Sequence, residues 1–500
     1  MGDGAHAGLT VIPFAREGTG PTGKSGAGGT LGEAIARSEA LPPELSARKV
    51  LSAAQKTTAL LILSGGLAAF VLQPYFTSLA LRFLFWSVFF LIVSWRFGLA
   101  VAALSQRLVR EAPARHAADE EETELPVYSV LIALRDEAGM MRQLAESLSR
   151  LDWPADRLEI FLLVEEDDPE TREAAETAMF PAGTHILTVP AGVPLTKPRA
   201  LNYGLARARG RYVTIYDAED RPGPQQLKQA HEGFRRFAPD VVCLQAPLVA
   251  TNGASSWIAS QWALEYAVQF GLYVPALSAL EHPVMLGGTS NHFLREDLVS
   301  MGGWDAWNVT EDADLGIRAA RLGARTRTIT SPTLESAPES FSIWLKQRGR
   351  WIKGYMQTWL VCMRKPVSLV RELGLMRSIS LQLTLGGSIL NAFLYGPMTI
   401  YVVAGLVFPD VRLDTISFAL FSFGWFASTL CDFAAPGRWS FTRVLAALTR
   451  PLYWPLQTLA AVNAVYGLAV KPFFWAKTPH RPEEEAEQRA WQAGSSQLPS

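Results

Sequence analysis

Apolar positions along this chain fall into three blocks of different texture. Residues 57–76 and 79–104 are two nearly unbroken apolar runs, each near the roughly 20 residues that a helix needs to span a bilayer. From residue 126 to about 340 the runs become short and alternate with stretches whose apolar residues recur at helical spacing. Then 379–408 and 414–431 are apolar again, and 444–470 is apolar but interrupted by Arg450, Pro451 and Pro455. The pattern predicts a disordered tail over 1–50, a membrane hairpin over 51–115 and a catalytic-type domain over 120–340. An amphipathic helix at the membrane surface follows over 341–375, then membrane helices over 376–475, two to four in number, and a polar tail over 476–500.

Within the middle block, strands are predicted at 127–134, 158–164, 185–189, 212–216 and 241–248. Helices are predicted over 139–151, from Ala200 onward, over 313–322 and over 342–363. Strand alternating with helix predicts an α/β domain, a doubly wound, Rossmann-like parallel sheet inserted between membrane helices.

Charge then sets the orientation. Arg48, Lys49 and Lys56 precede the first apolar pair, and Arg107, Arg110 and Arg115 follow it, so both ends of the hairpin belong on the cytoplasmic side. Lys471, Lys477, His480 and Arg481 place the C-terminal end there as well, which requires an even number of crossings after the middle block. A net charge of −1 argues against a nucleic-acid partner. The three cysteines, Cys243, Cys362 and Cys431, lie too far apart for a zinc spacing and read as small core residues. Residues 18–25 match the phosphate-loop pattern letter for letter, but Pro13 interrupts the strand that should precede it and glycines stand where its helix should begin.

Candidate chemistry lies at strand ends. The predicted strand 212–216 runs into Asp217, Glu219 and Asp220, and strand 158–164 into Glu165, Glu166, Asp167 and Asp168. The third is followed by Lys197 and Arg199. Carboxylates at the carboxyl edge of such a sheet suit a hard divalent cation, and cations beside them suit phosphate. One acidic turn alone is equally a solvated turn; the repetition favours a site. Downstream stand the small polar loop 287–291, with Gly288, Thr289 and Ser290, and the acidic pair Glu311–Asp312 before a helix, with Asn308 and Thr310 as candidate caps. Gln347, Arg350 and Trp351 sit on the predicted helix 342–363.

In this order, Glu165-Glu166, Asp217-Ala218-Glu219, Thr310-Glu311-Asp312 and Gln347-x-x-Arg350-Trp351, the chain resembles the membrane-bound family 2 glycosyltransferases, which include cellulose, hyaluronan and poly-N-acetylglucosamine synthases. Residues 287–293 and 475–480 look like a bacterial exopolysaccharide subgroup. The resemblance implies a GT-A fold and roles residue by residue. Glu137, and Glu165 or Glu166, would meet the uridine of a UDP-sugar, and Lys197 would lie near the nucleotide. Asp217 would hold nucleotide and metal, with Glu219 or Asp220 as second ligand to Mg²⁺ or Mn²⁺. Asp312 would be the general base and Arg350 a diphosphate contact, while Gly288, Thr289, Ser290, Glu311, Gln347 and Trp351 would meet the acceptor. The family's usual Asp-Asp pair is Glu-Glu here, and Glu219 replaces an Asp.

The implied protein is an inverting hexosyltransferase in the bacterial inner membrane, its catalytic domain cytoplasmic. It would polymerise a UDP-hexose into a β-linked exopolysaccharide and help to export it. One rival reading is transfer of a single sugar to a lipid carrier; another is a non-catalytic channel or receptor that keeps the fold. Membrane lipid is an expected partner, and with no regulatory barrel after His480, so is a regulatory or export protein.

Overall fold

The computed structural model describes residues 41–108 and 124–474. Outside the described residues lie 1–40 and 475–500 of the expected tails and ends, the phosphate-loop-like 18–25, nearly all of the acidic linker, and 475–480.

The strands are β1 (Tyr128–Leu134), β2 (Leu158–Glu165), β3 (Thr184–Val189), β4 (Tyr212–Ile215), β5 (Arg221–Pro222), β6 (Val241–Gln245), β7 (Leu248–Ala250), β8 (Asn291–Leu294), β9 (Arg325–Thr328) and β10 (Thr333–Glu335). Among the described residues they make a seven-stranded sheet, β3-β2-β1-β4-β8-β6-β9, and a small one, β5-β10-β7. β2 and β4 are buried at every position, as parallel strands covered on both faces must be.

The sheet is mixed rather than parallel. β8 runs antiparallel to both neighbours, β4 and β6. Four residues are too few to show a period, so the strand leaves no trace in the pattern. His292 fixes it from within: Tyr128 Oη lies 2.6 Å from its Nδ1 and Gln226 Oε1 lies 3.2 Å from its Nε2. Burial pushes this imidazole down to a pKa of about 3, so it is neutral. The expected strand 241–248 also divides. Pro247 has no N–H to continue a ladder, and the chain passes from β6 in the large sheet to β7 in the small one.

The helices that shape the site are α1 (Ala53–Leu72), α2 (Pro74–Leu108), α3 (Lys197–Leu205), α4 (Trp257–Val268), α5 (Glu311–Arg321), α6 (Phe341–Cys362), α7 (Gly387–Val407), α8 (Thr415–Ala434), α9 (Phe441–Leu448) and α10 (Arg450–Val470). Four stretches among the described residues are long and apolar enough to cross a membrane: Ala53–Leu72, Pro74–Ser105, Leu375–Val407 and Thr415–Ala434. Ser52 caps α1 in a reciprocal pair with Gln55. α2 changes surroundings along its length: Leu81, Phe83 and Leu84 are exposed, whereas Leu99, Ala100 and Ala103 join the core of the α/β domain. The run 444–470 is not one segment, because it breaks at Thr449 between α9 and α10.

Two expectations about surfaces are revised. Residues 41–50 are not tail: Leu41 is buried, and Asp305 accepts hydrogen bonds from Ser46 Oγ at 2.9 Å and Ala47 N at 2.5 Å. Arg364 holds the same segment through the carbonyls of Pro43 and Ser46. The other revision concerns α6, which is wedged between the α/β domain and α10 rather than lying on a surface. A Cβ on Gly349 would come 2.9 Å from Asn463 of α10, and one on Gly354 would come 2.3 Å from Thr310 Oγ1. The helix carrying Gln347, Arg350 and Trp351 thus touches the residue before Glu311 only because position 354 lacks a side chain. Gly354→Ala should destabilise the protein by about 1–3 kcal/mol, the usual range for overpacking, and lower kcat with UDP affinity unchanged. Adding Thr310→Ala should restore part of the loss, read by thermal melting and turnover in detergent.

Candidate active site

β4 delivers the first part of the site. All four of its residues are buried, and the chain turns sharply at its carboxyl end, where Asp217 N donates to Asp220 Oδ2 at 2.6 Å. Asp220 also accepts from the Thr289 hydroxyl, and its carbonyl accepts from Ser147 Oγ at 3.0 Å. Its Oδ2 is spent on the turn, while Oδ1 is buried without a hydrogen-bond partner among the described residues. Burial first, then the neighbouring charges of Asp217 and Glu219, hold its pKa well above the ordinary aspartate value.

α3 supplies the cation. Lys197 Nζ donates to Asp217 and to the Gly288 carbonyl at 2.7 Å. Burial alone would weaken this ammonium, but Asp217 and then Glu311 outweigh it, so its pKa lies above the usual lysine value. Gly288 belongs to the loop that enters β8, and Gln245 braces that loop by accepting from Gly287 N at 2.8 Å and donating to the Thr289 carbonyl at 3.1 Å. A Cβ on Gly288 would lie 3.4 Å from Asp312 Oδ2. Lys197 therefore links the β4 carboxylates to the loop that backs Asp312.

Glu311 and Asp312 open α5. Burial, and then the charge of Asp312, raise Glu311 to a pKa of about 7 against the pull of Lys197 and Arg350. Asp312 is raised chiefly by burial. Its Oδ1 is buried without a hydrogen-bond partner among the described residues, as suits a carboxylate that takes up a proton from a substrate. From α6, Arg350 donates to the Val309 carbonyl at 3.1 Å, steadying the approach to Glu311. Trp351 stacks on Tyr266 at 6.1 Å and 14°, and tilts over Trp262 at 4.6 Å.

One cavity of about 910 Å³ gathers these groups. Glu137, Lys197, Asp217, Glu219, Gly288, Thr289, Glu311, Asp312, Gln347, Arg350 and Trp351 all line it. Four expected site residues do not. Asp220 faces the turn, and the Ser290 hydroxyl pairs with that of Thr333 at 2.5 Å in the core. Glu165 is buried against Arg199 at 2.5 Å, and burial raises its pKa to about 7. Glu166 is exposed and accepts from Ala191 N at 2.9 Å.

Sequence reasoning missed other members. Asp168 caps the helix after β2 and accepts from Asp136 N at 2.6 Å, shaping the loop that carries Glu137; Pro169 after an Asp was the available signal. Arg348 pairs with Glu265 and sits 5.1 Å over the Trp351 ring and 4.8 Å over Trp262.

For a metal, the carboxylates at the end of β4 that line the cavity are Asp217 and Glu219; among the described residues no group of three His, Cys, Asp or Glu side chains could hold a metal ion. Two carboxylates fit Mg²⁺ or Mn²⁺, which commonly take one or two from a protein and the rest from water and substrate phosphate.

The mixed sheet, with the acidic end of β4 and the acidic start of α5 at one cleft, is that of a GT-A-like glycosyltransferase fold. The chain matches the glycosyl transferase family group 2 over residues 212–466, and it belongs to that family. Among curated relatives, a "Probable glycosyltransferase YdaM" of Bacillus subtilis is 26% identical over 46% of this chain and 56% of its own. A "Beta-monoglucosyldiacylglycerol synthase" of Trichormus variabilis is 26% identical over 59% of this chain and 62% of its own. The chain thus spans somewhat more than half the length of these relatives. A solved structure, "Mannosyltransferase PcManGT from Pyrobaculum calidifontis in complex with GDP-Man and Mn2+", aligns at 17% identity and a TM-score of 0.48 over 77% of this chain and 99% of its own.

Asp312→Asn should lower kcat by about 10²–10⁴-fold, the span of general-base contributions, with UDP affinity within twofold. With Asp312 as the base, the acid limb of kcat should lie above the ordinary aspartate value, since burial raises this carboxyl's pKa. Glu311→Gln removes a neighbouring carboxylate whose charge interacts with that of Asp312 and should move that limb to lower pH. A limb that stays in place would show that the pair does not set it.

Proposed function

We propose that this protein transfers a sugar, with inversion, from a UDP-sugar to a hydroxyl of an acceptor that reaches the site from the membrane, and that the acceptor is lipid-borne. The observation that carries this reading is the continuity of the cavity. It runs from Asp217 and Asp312, past Trp351 and Glu265, to Arg96, Asn391 and Tyr395 on the apolar helices. Its volume sits near the upper end of the range for small-molecule sites, about 300–1,000 Å³, suiting a donor and one acceptor end. Aromatic rings pack together at this end. Phe89 packs on Tyr395 at 5.0 Å, Tyr395 on Trp454 at 4.3 Å and Trp454 on Phe421 at 5.7 Å.

In this reading Asp312 accepts the proton of the acceptor hydroxyl as its oxygen attacks the anomeric carbon. The bond to the nucleoside diphosphate breaks on the opposite face, and Lys197 and Arg350 stabilise the departing charge. A divalent cation held by Asp217 and Glu219 would add positive charge at the diphosphate. Glu137, in the same cavity, would meet the nucleoside; Gln347 and Trp351 would meet the acceptor, where an indole can stack on a sugar or glycerol backbone. The basic flanks of the apolar helices support a multi-pass membrane protein with this domain in the cytoplasm.

A second reading, processive synthesis of an exported polysaccharide, is favoured by the Gln347-x-x-Arg350-Trp351 motif on the cavity wall. Detergent-purified protein, given radiolabelled UDP-hexoses and membrane lipid extract, should yield a single sugar on a lipid. EDTA should stop incorporation and Mg²⁺ or Mn²⁺ restore it. High-mass product would instead favour the polymer reading, and metal-independent turnover would remove Asp217 and Glu219 as ligands.

A further inference from the structure

The membrane end of the cavity holds a polar constellation that sugar transfer at Asp312 does not use. α2, α7 and α8 bring Arg96, Ser388, Asn391 and Ser428 to its wall. Arg96 donates to Ser388 Oγ at 3.1 Å, and among the described residues it forms no ion pair. The other arginines nearby are neutralised: Arg450 grips Asp432 through two bonds, at 2.6 and 2.8 Å, and Arg348 pairs with Glu265. Asn391 is only 4% exposed, yet neither its amide nitrogen nor its oxygen has a hydrogen-bond partner among the described residues. A cation and a buried amide thus face the same space without a counterpart.

Their depth limits what can fill it. Arg96 stands just before Leu99, where α2, still apolar, enters the core of the α/β domain, so it lies where the apolar helices meet that domain. Basic pockets between membrane helices on the cytoplasmic side suit lipid head groups, and ionisable residues inside such bundles mark substrate paths. A neutral saccharide would leave the arginine uncompensated. Phosphate matches it, because a guanidinium binds phosphate oxygens in a fork and an amide can donate to a third.

We propose that Arg96, Ser388 and Asn391 form a binding site for the phosphate of an anionic membrane lipid, which presents the acceptor hydroxyl toward Asp312. This rests on the reading that the acceptor comes from the membrane. The site fixes the acceptor class: a lipid bearing phosphate, as opposed to a neutral diacylglycerol. Occupied, it also anchors one end of the acceptor while Trp351 and Gln347 meet the other.

The test uses the full chain in dodecyl maltoside, whose micelles contain no phosphate. Binding of dioctanoyl phosphatidylglycerol, dioctanoylglycerol and inorganic phosphate is measured by thermophoresis, with UDP binding measured on the same preparations. Phosphatidylglycerol should saturate at least tenfold tighter than dioctanoylglycerol. Arg96→Gln and Asn391→Leu should each weaken it tenfold or more, with UDP affinity within twofold, while Arg82→Gln on the exposed part of α2 should have no effect. Equal binding of the two lipids, or binding untouched by both variants, would overturn the proposal. Tight inorganic phosphate with no lipid binding would overturn its lipid part. Should Arg96→Gln fail to fold, Asn391→Leu and the comparison of lipids on the unaltered protein still decide. Failure of the unaltered protein to bind UDP would count against the donor site instead, leaving the lipid result to be judged separately.

Discussion

Lys197 carries its charge into a place where only 9% of its side chain remains exposed, and the site is arranged to neutralise it there. A buried ammonium is tolerated only when paired and hydrogen-bonded. The pairing groups come from separate parts of the fold: Asp217 from the end of β4 and the Gly288 carbonyl from the loop into β8. Glu311 at the start of α5 adds its field. Satisfying one cation therefore brings three segments to one point. The antiparallel β8 makes this geometry available, since it delivers its loop to the same sheet edge at which β4 ends.

A second constraint ties the candidate site to the apolar helices. α6 can press Gly354 against Thr310 and Gly349 against α10 only because neither position carries a side chain. The helix is thus a rigid spacer between the catalytic motif and the apolar helices. Trp344 Nε1 donates to Tyr453 Oη at 2.7 Å, and Glu265 accepts from Gln457 Nε2 at 3.0 Å, so polar contacts lock the spacer in place. The cavity follows from this packing: its upper wall is the sugar-transfer site and its lower wall the helix bundle.

Much of this was legible in the chain. The apolar blocks gave the long apolar helices by length alone, and β-branched and aromatic runs gave β1 to β4 within a residue or so at most ends. Asp217, Lys197, Asp312 and Arg350 stand out because like residues recur at successive strand and helix ends. What the sequence could not convey was which member of each acidic cluster faces inward. Glu219 and Asp220 are neighbours of equal charge, and only the hydrogen bond from Asp217 N decides that Asp220 closes the turn. Glu165 and Glu166 are divided the same way, by a strand register that sends one to Arg199 and the other to the surface. β8 was invisible because tertiary pairing holds its four residues in place, and Arg96 read only as one more residue in an apolar run.

The central claim is that one carboxylate, Asp312, activates the acceptor in a single in-line displacement at this cavity. The anomeric configuration of the product tests it most directly. With an α-linked UDP-hexose as donor, proton NMR of the purified product should show a β-glycoside. An α-glycoside would mean retention, and would contradict a single displacement with Asp312 as its base.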